Sequence, residues 1–223
     1  MVRGFRLQWA ALMLLGGNCA YAAWPEIPVP ADAHAEAIGD EVRLNGIPMR
    51  MHRILSQQSI KEILGFYRDA LGPRLAERSL AGSTILSQER GDYFITVKVR
   101  PLSAKLNEVL VSASDMVEAK RAANRPLGFS LPANSMVMSD MESVDAGKRS
   151  RQLVVNNRQA LGTNVDVLTQ ELAGRGFKPD GSPARDTDAQ FVQQFKGDRR
   201  EAQLTVVRQA GISHIVLTTV FNP

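Results

Sequence analysis

Histidine and cysteine are the first residues to consider for chemistry, because they ligate metals, and histidine also transfers protons near neutral pH. The chain has 3 histidines, His34, His52 and His214, and 1 cysteine, Cys19. No two histidines are spaced as i and i+4, and neither an HExxH nor an HxH sequence occurs. This distribution predicts no metal site and no cofactor, and we interpret the histidines as surface or sheet-face residues.

Sequence patterns typical of nucleophiles and of nucleotide binding are missing from the chain. No G-x-S-x-G stretch is present, and Ser56, Ser59 and Ser79 are not followed by lysine three residues later. Neither of the glycine-rich phosphate-binding patterns, G-x-x-x-x-G-K-[ST] and G-x-G-x-x-G, occurs. We therefore expect a protein without catalytic residues, not an enzyme.

Two groups of carboxylates are close in sequence, and paired carboxylates can do acid–base work. One group falls in an expected hairpin and the other in an expected loop: Asp140, Glu142 and Asp145, then Asp180, Asp186 and Asp188. Neither group has the spacing of a calcium-binding loop. Solvated charges on a hairpin and a loop are the favoured interpretation of both groups.

Basic residues form the candidate interaction site. Two clusters occur in the second half of the chain: Lys148, Arg149 and Arg151, then Lys196, Arg199 and Arg200. No aromatic residues are interleaved with them, so nucleic-acid binding by base stacking is not supported. Positive charge that protects a strand edge is one interpretation. A docking surface for an acidic protein partner, or for an anionic envelope polymer, is the other.

The stretch Met49–Leu71 predicts the element around which the rest is organised, a strand that leads into an amphipathic helix. Ser59 and Glu62 have the spacing of a capping box, in which each satisfies a backbone N–H of the other. Apolar residues then recur with helical spacing at Ile60, Ile63, Leu64, Tyr67 and Leu71. Gly72-Pro73 ends the helix. A helix this short needs a docking surface, which we expect to be a sheet.

Strands are predicted on both sides of this helix. Asn45-Gly46 is a strong hairpin-turn signal between a strand at 42–44 and one at 47–54. Alternating and apolar runs follow the helix, and they predict three further strands at Thr84–Glu89, Tyr93–Arg100 and Glu108–Ser114. The first unit is therefore ββαβββ over residues 40–115. Residues 116–135 have the composition of a linker, with a short helix possible at 116–124.

The same order of elements is predicted again over residues 136–223. A hairpin turns at 145–147, a helix begins near Asn164 with Thr163 or Asn164 as its N-cap, and three strands follow it at 190–195, 201–208 and 213–220. Val109-Leu110-Val111 corresponds to Ile215-Val216-Leu217 at an offset of 106 residues. We therefore expect the α+β class, with two tandem ββαβββ units that each pack one helix across one face of an antiparallel sheet.

The first 22 residues have the features of a cleavable export signal. Arg3 and Arg6 precede a short apolar run at 9–15, and Ala20-Tyr21-Ala22 has small residues at the positions that a signal peptidase requires. Cleavage after Ala22 removes Cys19, so the mature chain has no disulfide, and the formal charge falls from +4 to +2. That near balance argues against a dedicated nucleic-acid binder. Residues 23–39, rich in proline and alanine, are expected to be a mobile spacer.

These features predict a periplasmic protein with no membrane span after signal cleavage. The main hypothesis is a non-catalytic accessory or adaptor of a bacterial envelope machine (secretion, pilus or outer-membrane assembly) that binds envelope protein partners. The alternative is a periplasmic ligand-binding protein or a hydrolase with a site between the two units. A deep polar cleft would favour the alternative, and a shallow charged surface would favour the adaptor.

Overall fold

The computed structural model describes residues 24–223, so the expected export signal and its cleavage site lie outside the described residues. Within that range, fourteen antiparallel strands hold 52% of the residues and three helices hold 16%. The chain belongs to the mixed α+β class, as expected. The elements in chain order are β1 His34–Ala37, β2 Glu41–Leu44, β3 Ile47–Ser56, α1 Ile60–Leu71, β4 Ala76–Leu80, β5 Ser83–Arg90, β6 Tyr93–Ser103, β7 Leu106–Asp115, α2 Met116–Ala122, β8 Met136–Asp145, β9 Lys148–Asn157, α3 Leu161–Gly174, β10 Lys178–Pro179, β11 Arg185–Asp186, β12 Gln190–Gly197, β13 Arg200–Gln209 and β14 Ile212–Phe221.

All fourteen strands belong to one continuous sheet. Its order is β10-β12-β13-β14-β9-β8-β2-β3-β7-β6-β5-β4, with β1 added beside β3 and β11 beside β12. Outward from the central β2–β8 pair, the order is β2, β3, β7, β6 and β5 on one side and β8, β9, β14, β13 and β12 on the other. On each side the opening hairpin is therefore followed by the last, the middle and then the first of the three long strands that come after the helix. Each side has its own cluster of buried apolar residues. The strands β1, β4, β10 and β11 were not predicted, because they are short and almost entirely exposed.

Helix α1 confirms its predicted capping box. The Ser59 hydroxyl accepts from the Glu62 backbone N–H at 3.3 Å, and the Glu62 carboxylate accepts from the Ser59 N–H at 2.8 Å. The Ser59 hydroxyl also donates to the Glu62 carboxylate at 2.7 Å, and this bond, together with that from the Ser59 N–H, lowers the pKa of the Glu62 carboxyl. The buried face of α1 consists of Ile63, Leu64, Tyr67 and Leu71. It covers strands β5 and β6, and burial of each apolar side chain contributes about 1.5–3 kcal/mol.

Tyr67 places a hydroxyl group in the first core without a partner. The residue is fully buried, and its Oη is the one buried side-chain polar atom in residues 24–223 that has no hydrogen bond. Burial raises the pKa of the hydroxyl, since an ionised form would be poorly solvated there. An unsatisfied buried hydroxyl group costs free energy in the folded state.

Replacing Tyr67 with phenylalanine is therefore expected to stabilise the protein, by about 1–2 kcal/mol. The ring and its edge-on contact with Phe66 remain, while the desolvated hydroxyl group is removed. Urea unfolding of the two proteins measures the difference. A less stable phenylalanine variant would contradict this account of the core.

Helix α3 begins earlier than expected, and the N-cap assignment to Thr163 or Asn164 is wrong. The N-cap position is Ala160, which makes no side-chain cap, and the helix starts at Leu161. Asn164 is instead fully buried on the inner face, where its side chain exchanges hydrogen bonds with that of Asn157 at 2.7 and 3.2 Å. Asn164 Nδ2 also donates to the Ala160 carbonyl at 3.0 Å, so a buried side chain fastens the start of the helix to β9.

Residues 24–37 lie against the first half of the sheet, in contrast to the mobile spacer expected over residues 23–39. Trp24 contacts the ring of Tyr93, and the Arg50 guanidinium lies 5.4 Å from the Trp24 ring centroid. Ile27 packs against the first core, and β1 pairs with the end of β3. The proline-rich composition has no periodic pattern, so the sequence did not predict these contacts of single apolar side chains.

The connection expected over residues 116–135 contains helix α2 and then a segment that belongs to the second core. α2 starts at Met116 with Asp115 as its N-cap, and it contacts β3 and β6. Leu127, Phe129 and Leu131 pack against the second core. The expected short helix is present, and the connection follows the surface of the protein closely.

Candidate functional site

The centre of the molecule is the contact between β2 and β8, two strands about one hundred residues apart in sequence. Four residue pairs join them, from Glu41 opposite Val144 to Leu44 opposite Met141. The Asp40 carboxylate accepts from the Ala146 backbone N–H at 3.1 Å, and the Asn45 side chain accepts from the Asp140 N–H at 3.0 Å. The β2–β3 hairpin and the β8–β9 hairpin are therefore joined by side-chain hydrogen bonds at both ends of their contact.

An open concavity of about 550 Å³ lies over this contact. The strand registers place its side chains on one face of β2, β8, β9 and β14. In one row across these strands, Glu142 lies between Arg43 and Arg151. In the next row, Arg149 lies between Val144 and Phe221. Arg125, from the segment after α2, completes the charged lining. We call this group of residues the central charged surface: Glu41, Arg43, Arg125, Glu142, Arg149, Arg151 and Phe221.

Two of its four arginines are held by carboxylates. Arg125 makes two hydrogen bonds with Glu142, at 3.0 and 3.1 Å. Arg151 binds both oxygens of Asp140, at 2.7 and 2.8 Å, and also donates to the Leu127 carbonyl at 2.7 Å. Hydrogen bonding to Asp140, partly opposed by desolvation, raises the pKa of Arg151. These two arginines stabilise the walls of the concavity.

The other two arginines have no carboxylate partner among the described residues. Arg149 is exposed, and its side chain makes no hydrogen bond or ion pair within residues 24–223; the Arg43 side chain donates only to the Gly46 carbonyl at 3.3 Å. Phe221 beside Arg149 is 39% exposed. Glu41 also lines the concavity without a partner among the described residues, so the surface is mixed in sign with an excess of positive charge. Guanidinium groups beside an apolar ring suit the binding of a carboxylate on a protein.

The structure brings some of the sequence-predicted interaction residues together. Arg149 and Arg200 lie on opposite sides of Phe221 in adjacent strands, and the Arg200 guanidinium is 5.9 Å from the Phe221 ring centroid. The Arg199 backbone carbonyl accepts from the Asn222 N–H, just after the end of β14. Exposed Lys148 begins the neighbouring strand β9 at the same end of the sheet. These residues form one positively charged end of the second half of the sheet.

The remaining predicted residues have other contacts. Arg151 is bound to Asp140. Lys196 lies on β12, and its ammonium group is 2.9 Å from the Asp180 carboxylate. That carboxylate raises the pKa of Lys196. Arg200 is partly committed as well, because it donates to the Arg175 carbonyl at 2.7 Å. Lys148, Arg149 and Arg199 are therefore the most accessible members of the set.

Sequence reasoning missed Arg43, Glu41, Arg125 and Phe221. The two-residue turn at Ala146-Gly147 could have identified part of the surface, since it sets Glu142 opposite Arg151. No local signal identifies the β2–β8 contact, which brings Arg43 to Glu142. The missed residues are those that the long-range pairing contributes.

Residues 24–223 contain no cluster of three or more His, Cys, Asp or Glu residues that could hold a metal ion. The three histidines lie on separate strands, and His214 Nδ1 is 3.0 Å from the Asn156 side-chain oxygen. Of the two sequence-predicted carboxylate groups, Asp140 and Glu142 are bound by arginines and Asp180 by Lys196.

No match to the chain was found among protein families, curated proteins or solved structures. Among residues 24–223, no helix has the length and apolar character needed to cross a membrane.

Proposed function

We propose that the chain is an exported, periplasmic, non-catalytic adaptor of two tandem ββαβββ units, which supports a bacterial envelope machine such as a secretion, pilus or outer-membrane assembly system. Its partners are envelope proteins, and they bind at the central charged surface. The sequence features of the first 22 residues support export.

The tandem arrangement is supported by contacts that recur at an offset of 101 residues. Buried Ser56 accepts from the Gln58 backbone N–H, and buried Asn157 accepts from the Gln159 N–H. Arg50 also lies over the Trp24 ring, and Arg151, 101 residues later, lies over the Phe129 ring at 5.8 Å, although these two aromatic residues are 105 positions apart. The strand order is also the same outward from the β2–β8 pair. Independent origins would not be expected to repeat such details.

The single observation that carries the adaptor function is the form of the central charged surface. It is partly open to solvent, and it presents two arginines without carboxylate partners on the same concavity as an exposed phenylalanine. Arginine and aromatic residues are enriched where proteins bind each other, and unpaired guanidinium groups favour an acidic partner. A shallow charged surface was also the feature expected of an adaptor.

The ligand-binding alternative receives support from the volume and place of the same concavity. A volume of about 550 Å³ over the β2–β8 contact lies within the roughly 300–1,000 Å³ typical of small-molecule pockets. A pocket for a small molecule usually buries most of its ligand, whereas this concavity is about half open to solvent. We therefore favour a protein partner.

Reversing the charge of the two unpaired arginines, Arg43→Glu with Arg149→Glu, is expected to weaken partner binding at least about tenfold. Both side chains are exposed, so the fold is expected to be retained. The test is affinity purification of the tagged mature protein from crosslinked bacterial envelope, with quantitative mass spectrometry.

Arg158→Glu is the control, because Arg158 is exposed and directly follows the end of β9 that lies away from Arg149. It changes the charge without touching the central charged surface. Recovery of no protein partner by the wild-type chain would contradict the adaptor function. Equal recovery by all three proteins would place the docking surface elsewhere.

A further inference from the structure

Strand β8 has an unpaired edge beyond the end of β2. β8 pairs with β9 from Met136 to Asp145, but β2 pairs with it only from Met141 to Val144. Asp140 still exchanges hydrogen bonds with Asn45. No strand among residues 24–223 pairs with Met136–Ser139 on that side. The backbone groups along this edge can be satisfied by another extended chain.

The side chains at this edge are apolar and exposed. Met136, Val137 and Met138 are 65%, 39% and 51% exposed. They are three consecutive residues at an open edge, whereas single exposed apolar residues are ordinary on protein surfaces. A groove of about 350 Å³ borders the same edge, and Val137, Leu127, Pro126 and Ala122 contribute its apolar lining. This groove is large enough to receive a side chain from an added strand.

Strand β1 offers an internal comparison, because it lies at the same place beside the first hairpin. Ala35 is opposite Ile54, and Val137 is opposite Val155. Ile54 and Val155 correspond to each other, since each is buried and pairs on its other side with a residue of the last strand. The outer edge of β1 also has no strand partner within the described residues.

The two edges differ in chemistry although they agree in position. β1 carries His34, Ala35, Glu36 and Ala37, and small or charged side chains on an edge discourage strand addition. β8 carries methionine and valine at the corresponding positions. The register shift between Val137 and Ser139 makes Met138 an extra residue, and such a bulge limits an added strand to a short one. Of these two edges, only that of β8 is therefore apolar.

We propose that Met136–Ser139 is a strand-addition site for an extended, uncharged, apolar segment of a partner protein. The added segment takes the place in line with β2, so it continues an edge-to-edge contact that the molecule already uses to join its own two halves. One of its side chains enters the groove beside Val137. This site adjoins the central charged surface, and Arg125 lines both, but the edge Met136–Ser139 lies outside that surface, so either proposal can fail alone.

A short capped peptide that alternates threonine and valine is the probe. When it is added to the mature chain, Ala23–Pro223, amide exchange at residues 136–139 is expected to slow by at least about tenfold. The same peptide with proline at its centre loses a backbone donor and is expected to give no protection. Failure of the first peptide to protect these amides at millimolar concentration would overturn the proposal.

Charged side chains on the edge provide the second test. Met136→Lys with Met138→Lys is expected to weaken peptide binding at least about tenfold, while Ala35→Lys with Ala37→Lys on β1 leaves it unchanged. Both pairs are exposed, and circular dichroism checks that both variants fold. Equal binding by the two variants would refute the site. Dimerisation of the mature chain that protects residues 136–139 without peptide would make a second copy the occupant, against the proposal.

Discussion

Alanine in place of Arg151 is expected to lower the free energy of unfolding by about 2–4 kcal/mol. The change removes the counter-ion of Asp140 and one of the two arginines near Glu142, and these carboxylate side chains are only 13% and 24% exposed. It also leaves the Leu127 carbonyl without its donor and removes one of the two guanidinium groups over the Phe129 ring, where that of Arg175 remains. Urea unfolding should show a lower midpoint with an unchanged slope.

Arg149→Ala is the matched control, since Arg149 lies two residues away on β9 and has no partner among the described residues. It is expected to change stability by less than about 0.5 kcal/mol. Combining Arg151→Ala with Asp140→Asn should recover part of the loss, because asparagine needs no counter-ion. A loss below about 1 kcal/mol for Arg151→Ala would show that the carboxylates are adequately solvated without it.

The different roles of Arg149 and Arg151 explain what the sequence could and could not predict. Both belong to one cluster of basic residues, and composition alone treats them alike. Their strand is predictable from the turn and the alternating pattern, and so is the hairpin partner of Arg151. The partner of Phe221 and the approach of Arg43 depend on how separate strands assemble, which no short-range pattern encodes.

Local chemistry similarly decided which helix start could be predicted. At α1 the cap is formed by Ser59 and Glu62 within one turn, so the residues and their spacing are sufficient. At α3 the cap has no side-chain acceptor, and Asn164 is used for a buried contact with Asn157. The same residue type that predicts an N-cap was drawn into the core by tertiary packing.

The edges of the sheet were the least predictable part of the fold. β4 alternates weakly, and every residue in it is exposed, so its sequence resembles that of a loop. It forms a strand because β5 offers an open edge for Ala76–Leu80 to pair with. By contrast, the interior strands β6 and β14 alternate buried and exposed residues and were found from sequence, β14 within one residue at each end and β6 three residues short at its end.

Leu172→Ala is expected to lower the free energy of unfolding by about 3–5 kcal/mol, the largest single effect that we predict. Leu172 lies on the buried face of α3 and is a fully buried member of the second core, so its truncation leaves a cavity there. The residues of that core are distinct from those of the first core, and charged residues line the sheet between them. The loss should therefore fall mainly on the second half of the chain.

Native-state hydrogen exchange separates the two halves. In Leu172→Ala, amides of β12, β13 and β14 should lose protection while those of β5, β6 and β7 keep most of theirs. Ile63→Ala in the first core is the matched variant, with the opposite pattern expected. The four residue pairs between β2 and β8 set how far the halves are coupled, because they are the main contact through which one core can stabilise the other. If each variant lowers protection equally in both halves, the continuous sheet unfolds as one cooperative unit, and the proposed tandem units do not unfold independently.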